Sequence, residues 1–141
     1  MNYLTKLALI TQLAFVGSIA NANAVDLVVV ANIDKSEFAV SKRELRDLFM
    51  GNSSELALTP IALDTSSEVR SVFNTKVIGL TESRIQSYWA QMRFSGRKKP
   101  PKELKSIDAV LDKLVNTENS VAYLPADTKL PDGLVVVYRS Q

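Results

Sequence analysis

The sequence predicts an α/β domain, a layer of strands with helices on both of its faces. Three observations predict it. Short apolar runs alternate along the chain with longer stretches of helical period. The strand candidates are continuously apolar instead of alternating, the pattern of strands covered on both sides. The 141 residues are 46 % hydrophobic and 23 % charged, which is ordinary globular composition and enough chain for one domain.

Asp26 to Ala31 (DLVVVA) reads as a strand: it is β-branched, apolar and too short for a helix. Asn32 to Ser36 follows as a loop. Ser41-Lys42-Arg43-Glu44 is a capping box, with Ser41 opening a helix and Glu44 reaching back to it. Leu45, Leu48 and Phe49 form that helix's apolar face, and Gly51-Asn52 closes it. Thr59 to Leu63 (TPIAL) is a second strand, with Pro60 near its start, where proline is tolerated. Asp64-Thr65-Ser66-Ser67 supplies four capping-type side chains in a row. Val69, Val72, Phe73, Lys76 and Val77 continue at helical period to Gly79. Thr81 begins a longer helix in which Ile85, Tyr88, Trp89 and Met92 share one face, an aromatic stripe at core spacing. Ser95 to Pro101 is a breaker-rich loop. Ser106 caps a further helix whose face is Ile107, Val110, Leu111, Leu114 and Val115. Val121 to Leu124 is a short strand, and Leu134 to Tyr138 is the last. The expected order is β-α-β-α-α-α-β-β, without internal repeats.

The first 24 residues read differently. Lys6 gives a positive start, Leu7 to Val16 is a short apolar stretch, and Ala22-Asn23-Ala24 has the form of a cleavage site. The stretch is well short of the ~20 apolar residues needed to span a bilayer. Residues 1–24 are therefore expected to be a cleaved signal peptide, and residues 25–141 an exported domain in the periplasm with no membrane span. Cleavage would leave 16 basic against 15 acidic residues. That balance is no argument for nucleic acid or for an anionic membrane as partner.

There is no Cys and no His. Thiol catalysis, disulfides, Ser–His triads and zinc or copper sites built from those ligands are excluded. No paired carboxylates, glycine-rich phosphate loop or nucleophile elbow appears, so the chain does not read as an enzyme, and no cofactor or metal is expected.

The strongest local signal is the strand–Asp64-Thr65-Ser66-Ser67–helix junction. Ligands of α/β sheets bind outside the carboxyl ends of strands. A helix start there presents free N–H groups and partial positive charge to an anion. Thr65, Ser66 and Ser67 add hydroxyls, and Arg70, one turn on, could clamp a phosphate or carboxylate through two bonds. Asp64 leaves alternatives open. It could accept the O–H of a protonated oxyanion, pair with Arg70, or fill the helix start itself. A plain N-cap at Asp64 or Ser66 explains the same residues. The second signal is the loop from Arg93 to Lys99, with Arg93, Arg97, Lys98 and Lys99 around Phe94. It reads as a solvated loop or as a contact for an acidic protein partner.

Taken in order, several segments resemble a known family. Glu44 to Gly51 (ELRDLFMG) resembles the "LRDIFxG" helix of PstS-like bacterial phosphate-binding proteins. Pro60 to Asp64 resembles the strand that follows it. Ser67 to Phe73 is similar to "GSxxRxxF", with Ser66 in place of the glycine. Tyr88-Trp89, Phe94 to Arg97 and Pro100-Pro101 resemble "YWxxxxFSGRxxPP". Val110 through Val121-Ala122-Tyr123-Leu124 resembles "VxxxVxxxxGxIGYV", with Asn119-Ser120 and Ala122 where that pattern has its glycines. The resemblance covers nearly all of residues 34–138. It implies a single lobe of a type II periplasmic-binding-protein fold, with a mixed sheet, and a phosphate or related oxyanion as ligand. Ser67 matches the family's phosphate-binding serine, and Thr65, Ser66 and Arg70 are its neighbours. Where the full-length proteins place an Arg near this loop, this chain has Leu63. Two functions are therefore expected in order. The first is a periplasmic, substrate-binding-protein-like module of the kind that serves ABC transporters, taking an oxyanion weakly through Asp64, Thr65, Ser66, Ser67 and Arg70. The alternative is a non-transport interaction protein docking on a periplasmic sensor or envelope partner through Arg93, Arg97, Lys98 and Lys99.

Overall fold

A computed structural model describes residues 25–35, 37–52 and 54–141. The expected signal peptide, residues 1–24, lies outside the described residues. The elements are β1 (Leu27–Asn32), α1 (Lys42–Phe49), β2 (Thr59–Leu63), α2 (Glu68–Phe73), α3 (Glu82–Phe94), β3 (Lys102–Leu104), α4 (Ile107–Val115), β4 (Ser120–Pro125) and β5 (Val135–Arg139). A π-helical turn, Asn74–Ile78, prolongs α2 and stops at Gly79, whose φ of 74° is left-handed.

The five strands form one mixed sheet in the order β3-β2-β4-β1-β5. β2 runs parallel to β3 and β4, while β1 is antiparallel to β4 and β5. The buried strands are those expected from their unbroken apolar runs. Leu27 to Ala31 of β1 and Val121 to Leu124 of β4 are at most 2 % exposed. Helices cover both faces, as side-chain direction on β4 shows. Tyr123 stacks on Phe73 of α2 at 4.1 Å between ring centroids. Ser120, an odd number of residues away and so on the other face, bonds the Leu114 carbonyl of α4 at 3.4 Å.

β3 is an element that the sequence pattern does not announce. Lys102-Glu103-Leu104 is three residues long, two of them charged, directly after Pro100-Pro101. A strand this short has no readable period. It is held by its parallel register with Ile61 to Leu63 and sits at the sheet edge, where charge discourages further pairing.

Local rules account for the other boundaries. The Ser41–Glu44 capping box is formed. The Glu44 N–H donates to Ser41 Oγ at 3.2 Å, and the Ser41 N–H donates to Glu44 Oε2 at 2.8 Å. The Ser41 hydroxyl, which donates to Glu44 Oε2 at 2.6 Å, and then the Ser41 N–H hold the Glu44 carboxyl below its usual value. α1 closes at Gly51, whose φ is 68° and where a Cβ would lie 3.1 Å from Trp89 Cη2. Tyr88 of α3 donates to the Met50 carbonyl at 2.8 Å, pinning α3 to the end of α1. Asn119, the residue where the PstS-like pattern has glycine, adopts φ 55°. Asn is among the few side chains that enter this region readily. In that conformation its N–H bonds the Asn32 carbonyl and its carbonyl receives the Thr59 N–H, joining β1, β2 and β4.

Candidate functional site

β2 is an interior strand, between β3 and β4, and its carboxyl end leads into the candidate site. Behind it, Phe49, Phe73 and Tyr123 form an aromatic cluster, with ring centroids 4.1 to 5.7 Å apart. The Leu63 N–H donates to the Tyr123 hydroxyl at 3.0 Å. Burial pushes the Tyr123 phenol well above its usual value, so it stays a neutral O–H. β2 then leaves the sheet through the Asp64 N–H, which donates to the Leu104 carbonyl at 2.9 Å.

The next four residues form the turn that opens α2. Asp64 Oδ1 accepts the Ser66 N–H at 3.2 Å and the Ser66 hydroxyl at 2.6 Å. The Ser67 N–H donates to the Asp64 carbonyl at 3.2 Å. Ser67, and neither Asp64 nor Ser66, is the N-cap: its Oγ accepts the Arg70 N–H at 3.3 Å. Among the described residues, the N–H groups of Glu68 and Val69 have no protein acceptor, as first-turn donors usually do not. Thr65 and Ser66 are exposed, and Asp64 and Ser67 are half-buried. Four of the five expected site residues, Asp64, Thr65, Ser66 and Ser67, thus share one turn.

Arg70 points the other way. It is 6 % exposed and its guanidinium is turned into the protein. Nε and Nη2 bond the two oxygens of Glu82 at 2.9 and 2.7 Å. Nη1 bonds the Leu63 carbonyl at 2.7 Å and Glu103 Oε1 at 2.9 Å. Four of its five N–H donors are thereby used. Burial by itself would lower the Arg70 pKa. The bonds to Glu82 and Glu103 outweigh that, and the net shift is upward. The Glu82 carboxyl is held below its usual value, chiefly by its bonds to Arg70. Asn74 and Gln86 each donate to it at 2.7 Å. One positive charge is shared by two carboxylates, and Asp64 and Glu68 flank the turn, so the neighbourhood is acidic. Arg70 ties the end of β2 to α3 and β3 instead of reaching over the turn as an anion clamp.

Glu82 and Glu103 carry no sequence signal as partners of Arg70, nor does Asn74 as a second donor to Glu82 or Tyr123 as the acceptor of the Leu63 N–H. Glu82 and Glu103 lie 12 and 33 residues beyond it, and only the folding of α3 and β3 onto β2 brings them together. Beside the guanidinium is a cavity of about 40 Å³, bordered by Asn74, Gln86, Arg93 and Glu103, with room for a few water molecules.

The second expected cluster lies at the far end of α3. Arg93 and Phe94 end the helix, and Arg97, Lys98 and Lys99 follow its cap. Phe94 is 97 % exposed. None of the four cations is in an ion pair among the described residues. Those residues also contain no cluster of three metal-ligating side chains, and no helix long and apolar enough to cross a membrane.

No family model matches the sequence, and no curated protein matches it. Solved structures match it by shape. An ABC-type phosphate transport receptor from Vibrio cholerae superposes with a TM-score of 0.58 at 10 % identity, over 79 % of this chain and 44 % of the receptor. PstS from Borrelia burgdorferi gives 0.49 at 14 % identity, over 71 % of this chain and 40 % of that one. The class follows from the first of these: the fold is PstS-like, that of a periplasmic-binding protein. The chain spans less than half the length of the receptors it matches.

Proposed function

We propose that this chain is an exported, solute-binding-like lobe that takes phosphate or a related small oxyanion, weakly, at the start of α2. The observation that carries the reading is the turn Asp64–Ser67. At the carboxyl end of an interior parallel strand it presents exposed Thr65 and Ser66 hydroxyls and the unpaired N–H groups of Glu68 and Val69. The fold supports it, because a structure of this shape is a phosphate transport receptor. Two features make the binding weak. Arg70 contributes no free charge, since Glu82 and Glu103 neutralise it. Asp64 holds the Ser66 N–H and hydroxyl that an anion would use and repels a dianion at the same place. A ligand there is hydrated on its open side, where each hydrogen bond adds little net energy.

Thermal unfolding with millimolar phosphate against matched chloride tests the reading. A ligand at ~100 times its Kd adds about 2.7 kcal/mol of stability. Asp64→Asn removes the competing charge and is expected to strengthen the phosphate-dependent shift several-fold. Absence of a shift in both the parent and Asp64→Asn proteins rejects the oxyanion reading.

A second reading is favoured by a separate observation, the unpaired Arg93, Arg97, Lys98 and Lys99 around a fully exposed Phe94. Here the lobe has no transport role and docks on an acidic periplasmic partner through this surface. Arg97→Glu/Lys98→Glu then abolishes docking and leaves any phosphate response intact.

A further inference from the structure

From Ser83 to Lys102 the chain carries six cations (Arg84, Arg93, Arg97, Lys98, Lys99 and Lys102) and no carboxylate. The remainder holds 11 basic residues against 15 acidic, so charge is segregated although the total is near balance. Beside the basic stretch a groove of about 510 Å³ opens at the amino-terminal ends of β2 and β3. It is at the other end of β2 from the turn Asp64–Ser67, so the two sites are separate. Trp89, Pro60 and Pro100 supply apolar walls, and Lys99, Lys102 and Lys113 line it from the β3 approach and the end of α4. No carboxylate lines it, and none of these lysines is in an ion pair among the described residues. Its volume falls within the roughly 300–1,000 Å³ of ligand clefts.

We infer that this groove docks an acidic, extended segment of a partner protein. Three lysines along one groove, with no carboxylate among its lining residues, call for several carboxylates. Lysines are point charges without the bidentate fork by which Arg selects one planar anion. A chain of carboxylates with apolar side chains between them matches cations set around apolar walls. A bilayer surface fits less well. An interfacial helix needs a row of protruding apolar residues, whereas Arg84, Ser87 and Gln91 are exposed on α3 and Phe94 alone protrudes. A nucleic-acid strand needs successive stacking aromatics, and one exposed ring does not supply them. The inference deepens the docking reading above and is independent of the start of α2.

Trp89 is the chain's only tryptophan and it borders the groove, so its fluorescence reports occupancy. The purified protein is titrated with poly-L-glutamate at low ionic strength, where surface charge is least screened. The expected result is a saturable change whose midpoint weakens by about tenfold or more in Lys102→Glu/Lys113→Glu. Lys42→Glu/Lys129→Glu, which changes the same net charge outside the groove, is expected to weaken it far less. Equal weakening in both variants identifies non-specific attraction and overturns the proposal, as does tighter binding to phosphatidylglycerol vesicles than to poly-glutamate. Loss in Arg97→Glu/Lys98→Glu without loss in Lys102→Glu/Lys113→Glu overturns the groove and leaves the docking reading standing. No response in the parent protein rejects both. Thermal unfolding of each variant shows that it is folded.

Discussion

Replacing Glu82 by Gln separates a structural Arg70 from an anion-binding one. Glu82 accepts four hydrogen bonds, two from Arg70 and one each from Asn74 and Gln86. A glutamine offers a single carbonyl oxygen and turns an N–H₂ group toward donors. Removing one partner of a buried ion pair costs about 3–5 kcal/mol. The Glu82 side chain is 33 % exposed, so water replaces part of what is lost, and Glu103 stays on Nη1 at 2.9 Å. The expected loss is therefore about 2–3 kcal/mol, below the fully buried figure. For a domain of this size that lowers Tm by roughly 6–15 °C. Circular dichroism melting with and without phosphate reads both consequences. If Arg70 were a clamp held back only by its carboxylates, the substitution would free its charge and enlarge the phosphate shift. The geometry predicts no enlargement, because Leu63 and Glu103 still hold the guanidinium inward. The pH dependence follows from the lowered Glu82 pKa. A depressed folded pKa contributes stability that is fully present above the ordinary value of 4.5 and is lost as pH falls through the folded value. Acid destabilisation below pH 4.5 is thus expected to be shallower in Glu82→Gln than in the parent. A variant that melts within about 1 °C of the parent refutes the structural assignment of the cluster.

Three further outcomes are expected. Asn119→Ala forces an ordinary side chain into φ 55° and costs about 1–2 kcal/mol by urea unfolding, whereas Asn119→Gly is tolerated. Gly51→Ala combines a left-handed φ of 68° with a Cβ 3.1 Å from the Trp89 ring, costs about 1–3 kcal/mol, and shifts tryptophan emission. Phe94→Ala leaves stability within about 0.5 kcal/mol, because the ring is 97 % exposed, and an unchanged melt together with weakened poly-glutamate binding assigns the ring to docking.

Much of the architecture was legible residue by residue. Apolar runs marked β1, β2 and β4 because strands buried on both faces need apolar side chains throughout. Ser41 with Glu44, Ser106, and the stops at Gly51 and Gly79 marked helix ends because caps satisfy local backbone groups. β3 was not legible, because three residues have no period and their strand character comes from pairing with Ile61 to Leu63. The site divides along the same line. The turn Asp64–Ser67 is a local structure and could be read from neighbouring side chains. The direction of Arg70 could not. One turn of helix puts Arg70 near the strand end, which suits an anion clamp and an internal tie equally well. The choice depended on Glu82 and Glu103, which reach Arg70 only after α3 and β3 have packed against β2. Once they do, burial without pairing would be costly, and the guanidinium turns to the carboxylates. The groove beside Trp89 is likewise a product of assembly. Its lysines lie on the β3 approach and α4, and no segment of the chain contains it alone.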